Sequence, residues 1–143
     1  MAATETASIL ETAKAFFDAI DTGQGWDGVS GYCHSDATFE AQADALAEVH
    51  TLHDYAEWMK GMVGVMPDAS YETKSFAFDP DRQNVTAYAV YHATHTGEGG
   101  PVPPTGKTAH TDYVYVMDFE GDKIRHMTKI WNDSWALRQL GWA

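Results

Sequence analysis

Four stretches fill most of the second half of the chain: "SYETKSFAFDP", "NVTAYAVYHATH", "KTAHTDYVYVMDF" and "DKIRHMTKIWN". Each is dense in Val, Tyr, Thr or Phe, residues that suit a pleated and half-buried surface. No other feature limits the fold as much. A strand must find partners for its backbone N–H and C=O groups, so four strands in succession imply a sheet. Asp79-Pro80-Asp81 and Glu120-Gly121-Asp122 read as hairpin turns, which set neighbouring strands antiparallel. The remaining connection, "TGEGGPVPPTGK", is long and rich in Gly and Pro, so it cannot be regular structure. Its polar anchors mark it as more than a spacer.

The first half has a different period. Ile9, Leu10, Ala13, Phe16, Phe17 and Ile20 recur at helical spacing, and Gly23 and Gly25 end that helix. "GWDGVSGYCHSDATFE" reads as a short helix or irregular turn leading into a strand, with His34-Ser35-Asp36 at the turn. Thr51 with Asp54 resembles a capping box. Leu52, Tyr55, Trp58, Met59, Met62, Val63 and Met66 then form the buried face of a second long helix, which Pro67 stops. Helices followed by a meander predict an α+β domain over residues 1–143, with helices on one face of a mostly antiparallel sheet.

Composition narrows the partners. A net charge of −12 repels phosphate backbones and anionic membrane surfaces, so neither nucleic acid nor membrane is an expected partner. No apolar run is long enough to span a bilayer, and the N-terminus lacks the pattern of a secretory signal. The one cysteine, Cys33, has no intrachain partner, which fits a reducing compartment. A cytoplasmic protein is expected. Five Trp and seven Tyr exceed what a core of this size requires, so part of them is expected to line a pocket or an interface.

Two stretches carry a family resemblance: "HATHTGEGGPVPPTGK", His92 to Lys107, and "GDKIRHMTKIWNDSWALRQLGW", Gly121 to Trp142. With the order of elements, they resemble the SnoaL-like polyketide cyclase branch of the nuclear transport factor 2-like superfamily. The resemblance implies a cone-shaped fold whose curved sheet encloses a mostly apolar pocket, and a homodimer formed through the sheet. It also implies an Asp near the end of the last strand as acid/base, without metal or cofactor. Alignment on Gln139-Leu140-Gly141 places Asn132 at that position with Asp133 beside it.

Asp133 is therefore the first catalytic candidate. Among Trp131 and Trp135, a carboxylate shielded from water would titrate above its ordinary value of about 3.9 and suit proton abstraction beside a carbonyl. It could equally be a helix N-cap, with its neighbour Asn132 sharing the two roles. His110 and Asp112 share a strand face and could form an acid/base pair if that face is inward, the orientation adopted here. On the opposite orientation they are rim residues of a dimer interface. His92 and His95 flank Thr94 on opposite faces, and one of them is expected to point inward. Asn132, Trp131, His92, Tyr32 and Trp58 are candidate substrate-binding residues, because amphipathic rings suit a flat apolar ligand with a few oxygens. No metal-binding, phosphate-cradling or nucleophile-elbow motif is present. The expectation is a small hydrophobic carbonyl ligand and cofactor-independent cyclase- or isomerase-like chemistry. The alternative is a non-catalytic binding module with the same pocket.

Overall fold

The computed structural model describes residues 3–143, with side chains from residue 6 onward. Helix α1 (Ala3–Asp21) turns Ile9, Ala13, Phe16, Phe17 and Ile20 into the core. It closes in a Schellman turn, Gln24 N–H to Ala19 C=O at 3.1 Å and Gly23 N–H to Ile20 C=O at 3.2 Å. Gly23 sits at φ +80°, and a Cβ there would lie 2.8 Å from the Cβ of Val63, so only glycine fits. A short helix α2 (Gly25–Val29) and a single 3₁₀ turn lead into strand β1 (Cys33–Ala41). His34-Ser35-Asp36, expected in a turn, lies inside β1 at the register shift between Cys33 and Thr38. The stretch read as a short helix or irregular turn leading into a strand is helix, 3₁₀ turn and strand, with the strand beginning before His34.

Helix α3 (Leu52–Val65) starts at Thr51, whose hydroxyl accepts the Asp54 N–H at 3.1 Å. Strands β2 (Ser70–Asp79), β3 (Asn84–Thr94), β4 (Thr108–Glu120) and β5 (Lys123–Trp131) form the meander. The sheet order is β1-β5-β4-β3-β2, antiparallel throughout except that β1 joins β5 in parallel. The last helix, α4 (Asp133–Leu140), ends at Gly141. The fold is α+β, four helices on a five-stranded mixed sheet.

Alternation along β4 assigns the two sheet faces. Thr111, Tyr113, Tyr115, Met117 and Phe119 are buried toward the helices, while His110 and Asp112 are exposed on the other side. The cross-strand partners continue this pattern, with Tyr113 opposite Trp131, Tyr115 opposite Lys129 and Met117 opposite Met127. The Gly- and Pro-rich connection folds back over the helical end. Gly97 N–H reaches Val65 C=O at 2.8 Å, and Thr105 Oγ1 donates to Leu140 C=O at 2.7 Å. Buried His95 accepts the Trp142 indole N–H at 2.8 Å on Nδ1, which pins the C-terminal residues to this loop. Among the described residues, no helix is long and apolar enough to cross a membrane.

Candidate functional site

Between α3, α4 and the concave sheet face lies a cavity of about 340 Å³. Trp58, Met59 and Met62 line it from α3, and Ala136, Leu137 and Leu140 from α4. Thioether and indole walls fit a flat apolar ligand without demanding one shape. The sheet supplies Tyr91, Tyr113 and Tyr115, with Lys129 and Trp131 from β5.

Lys129 is the unexpected member. It stands between Met127 and Trp131 on the inward face of β5 and is 6% exposed. Its ammonium lies 4.1 Å from the ring centroid of Trp131 and 5.5 Å from that of Trp58. Among the described residues, the ammonium's one hydrogen bond goes to the Tyr55 hydroxyl, at 3.1 Å. Tyr55 and Tyr115 hydroxyls are 2.5 Å apart, and Tyr115 donates to Asp21 Oδ1 at 2.6 Å. Since the Tyr115 proton goes to the carboxylate, Tyr55 must donate to Tyr115. Tyr113 donates to the other oxygen, Asp21 Oδ2. A directional chain therefore runs Lys129–Tyr55–Tyr115–Asp21, closed at its far end by Tyr113.

Burial governs the electrostatics of this chain. It pushes the Asp21 carboxyl up to about 6, against the opposing pull of Tyr113, Tyr115 and the Lys129 charge. It pulls the Lys129 amine down to about 8, against the attraction of Asp21 and Asp133. Burial, reinforced by the Asp21 charge, raises Tyr55 and Tyr115 far above the ordinary phenol range, so both remain hydrogen-bond donors. Lys129 is then the one cavity-lining group that changes charge near neutrality. Cys33, buried and pushed up to about 12, is an inert thiol.

The residues expected from sequence fall into three places. Trp58 and Trp131 lie on the cavity wall, edge to face with centroids 6.3 Å apart. Asn132 and Asp133 stand at the hinge between β5 and α4. Asn132 is the N-cap, accepting the Trp135 N–H at 3.2 Å. Asp133 is buried but off the cavity wall, with Oδ2 on the Ala45 N–H at 2.9 Å and Oδ1 on the Ser134 N–H at 3.0 Å. The hinge carboxylate anchors the segment 44–46 to α4.

The third group requires correction. His110 and Asp112 face outward, because the bulky tyrosines of β4 claim the inward positions. Asp112 accepts the Tyr88 hydroxyl at 3.1 Å, and His110 Nδ1 meets His92 Nδ1 at 3.1 Å on the same outer face. Of the strand-end histidines it is His95 that is buried, against Trp142. Tyr32 lies in the 3₁₀ turn before β1 and packs on the main core, away from the cavity. Among the described residues no three His, Cys, Asp or Glu side chains cluster as metal ligands would.

Sequence reasoning passed over Lys129 and Asp21, although both had a signal. Lys129 interrupts the apolar set Met127, Trp131 on one strand face, and Asp21 follows Phe17 by four residues on the buried stripe of α1.

Comparisons with known proteins agree with this architecture. The family model for SnoaL-like polyketide cyclases matches residues 11–140. Among solved structures, AclR from Streptomyces galilaeus, a proposed hydroxylase, has a TM-score of 0.77 at 21% identity, over 96% of this chain and 87% of that one. IdmH from Streptomyces antibioticus, a proposed polyketide cyclase, gives 0.71 at 20%, over 93% and 98%. An epoxide hydrolase of M. tuberculosis gives 0.66 at 11%, over 94% and 90%. These likenesses establish the fold. No curated protein matches the sequence significantly.

Proposed function

Because this chain belongs to the SnoaL-like polyketide cyclase family, we propose that its cavity takes a flat, mostly apolar carbonyl compound and promotes proton transfer at the carbon beside that carbonyl. The reaction is of the cyclase or isomerase kind and needs no cofactor. The observation that carries the reading is the buried chain Lys129–Tyr55–Tyr115–Asp21 beneath an otherwise apolar wall. An ionisable group titrating near neutrality suits acid/base work. As an ammonium, Lys129 stabilises an enolate oxygen in a dry site where such a contact is strong. As an amine, it accepts the proton. The charge it gains or loses is balanced by Asp21 at the other end of the chain.

Asp133 has a different part. Both of its oxygens hold backbone amides, and its charge favours the Lys129 ammonium. It positions α4 and biases Lys129. That commitment of the hinge carboxylate is also what favours the second reading, a binding module that holds the ligand without turning it over.

Hydrogen–deuterium exchange separates the two. A two-ring aryl methyl ketone in D₂O is followed by NMR, with binding read from quenching of Trp58 and Trp131 fluorescence. The enzyme reading predicts exchange above the uncatalysed rate. Lys129→Met should remove most of an acid/base contribution of about 10²–10⁴-fold while quenching persists. Quenching without exchange in the parent protein establishes the binder. The exposed outer sheet face, with Tyr88 and Ile130, together with the neighbouring Trp135 of α4, is the proposed homodimer surface.

A further inference from the structure

We propose that Lys129 is a covalent site: its Nζ forms a reversible imine with the carbonyl carbon of the ligand held in the cavity. The inference rests on the reading above, that the cavity takes a carbonyl compound, and adds the bond by which it is held.

Geometry supports it first. Among the described residues Lys129 is the one buried lysine, and it lies on the cavity wall. No carboxylate touches its nitrogen, since Asp21 is reached only through two phenols. The direction of the chain matters most. Tyr55 spends its own proton on Tyr115, so it receives a hydrogen bond from Nζ and offers none. A neutral amine at this place donates one N–H to Tyr55 and keeps its lone pair free for the cavity. The surrounding rings of Trp58, Trp131 and Tyr55 confine the amine without capturing that lone pair.

The chemistry balances without a co-reactant. The Nζ lone pair attacks the carbonyl carbon, and the C=O π pair moves to oxygen. The oxygen takes a proton, giving a carbinolamine. The nitrogen then expels that hydroxyl, which leaves as water with a second proton from nitrogen. The sum is amine plus ketone to imine plus water. Desolvation in an apolar pocket is a known means of keeping a lysine nucleophilic. Burial acts here in that direction, holding the amine near 8, so that a useful fraction is unprotonated at neutral pH. Once protonated, the imine withdraws electrons from the adjacent carbon more strongly than the free ketone, so it makes that C–H more acidic, and the proton leaves to water and not to Nζ.

The test uses the full chain, 2-acetylnaphthalene as the probe and sodium cyanoborohydride as the trap. Hydride from the trap converts an imine to a stable secondary amine, so the expected product is one adduct whose mass gain equals the ketone less one oxygen. Peptide mapping should place it on Lys129, and trapping should rise with pH toward 8. Lys129→Arg and Lys129→Met should both lose the adduct, and Lys129→Met should retain fluorescence quenching by the ketone. Quenching without an adduct overturns the covalent bond and leaves the binding site standing. Adducts spread over the exposed lysines 14, 60, 74, 107 and 123 overturn it as well. Absence of quenching in the parent protein overturns the cavity reading and this inference with it.

Discussion

Lys129→Met is the substitution on which the electrostatic account can be worked through. A methionine follows the lysine stem closely in shape and places a thioether where the amine stood, beside Trp131 and Trp58. The buried amine titrates at about 8 against an ordinary 10.5, which at neutral pH corresponds to about 3 kcal/mol disfavouring the folded state. The attraction of Asp21 and Asp133 is already contained in that figure. Loss of the hydrogen bond to Tyr55 sets about 1 kcal/mol against the gain. The net expectation is a protein more stable by about 2 kcal/mol at pH 7, with Tm higher by roughly 4–8 °C for a chain of this size. Urea unfolding followed by fluorescence, at matched protein concentration, measures it. A variant that is less stable than the parent by 1 kcal/mol or more would refute the reasoning. The ammonium would then be a compensated structural ion and not a desolvated functional one.

Other consequences are shorter to state. Tyr55→Phe leaves the Lys129 ammonium with no acceptor, so stability should fall by about 1–3 kcal/mol in the same urea assay. Asp21→Asn removes an attractive charge from Lys129, so the amine should titrate lower still, and the pH profile of cyanoborohydride trapping should move to lower pH. His110→Ala lies on the outer face and should leave both exchange and quenching unchanged; a tenfold loss in either would return His110 to the site. Ile130→Asp, on the same outer face and 59% exposed, should shift sedimentation from dimer to monomer. Gly23→Ala should cost about 1–3 kcal/mol, because the left-handed backbone and the contact with Val63 both resist a methyl group.

The fold could be read from sequence because its signals are local. Four stretches between residues 70 and 131 are dense in Val, Tyr, Thr and Phe, Gly23 and Pro67 punctuate the helices, and Thr51 caps one of them. The parallel pairing of β1 with β5 could not be read, since the partners lie about ninety residues apart and no turn connects them. The site was harder for a different reason. A strand with apolar residues on both faces does not say which face is inward. On β4 the decision belongs to the tyrosines, which bury more area against α1 and α3 than His110 and Asp112 could. The hinge at Trp131–Trp135 drew attention because it gathers indoles around a carboxylate, but indole neighbours in sequence do not imply an indole environment. Trp131 points into the cavity, Trp135 is 52% exposed, and Asp133 turns to the backbone of Ala45. Lys129 was passed over, because its burial depends on residues far from it in sequence. Its burial is set by Tyr115 directly opposite and by Tyr55 from α3.

Asp21 and Lys129 together predict an unusual dependence of stability on pH. Asp21 has a raised folded value, so its contribution is fully present below about 3.8 and lost as pH rises through about 6. Lys129 has a lowered folded value, so its contribution is fully present above about 10.5 and lost as pH falls through about 8. Between about 6 and 8 both groups are mainly ionised in a dry interior, and both contributions are absent. The pair therefore digs a trough in stability at the pH where proton transfer would run. A chain selected for stability alone would carry an amide and an apolar residue here. The double variant Asp21→Asn/Lys129→Met isolates this pair from the many surface carboxylates, whose titration is common to both proteins. Subtracting the parent's unfolding free energy from that of the variant, from pH 4 to pH 10, should give a maximum between 6 and 8 that falls away on both sides. A difference that is flat across this range, or that has its minimum there, would mean that the two charges satisfy each other. The buried chain would then be a structural ion pair, and the acid/base role assigned to Lys129 would lose its physical basis.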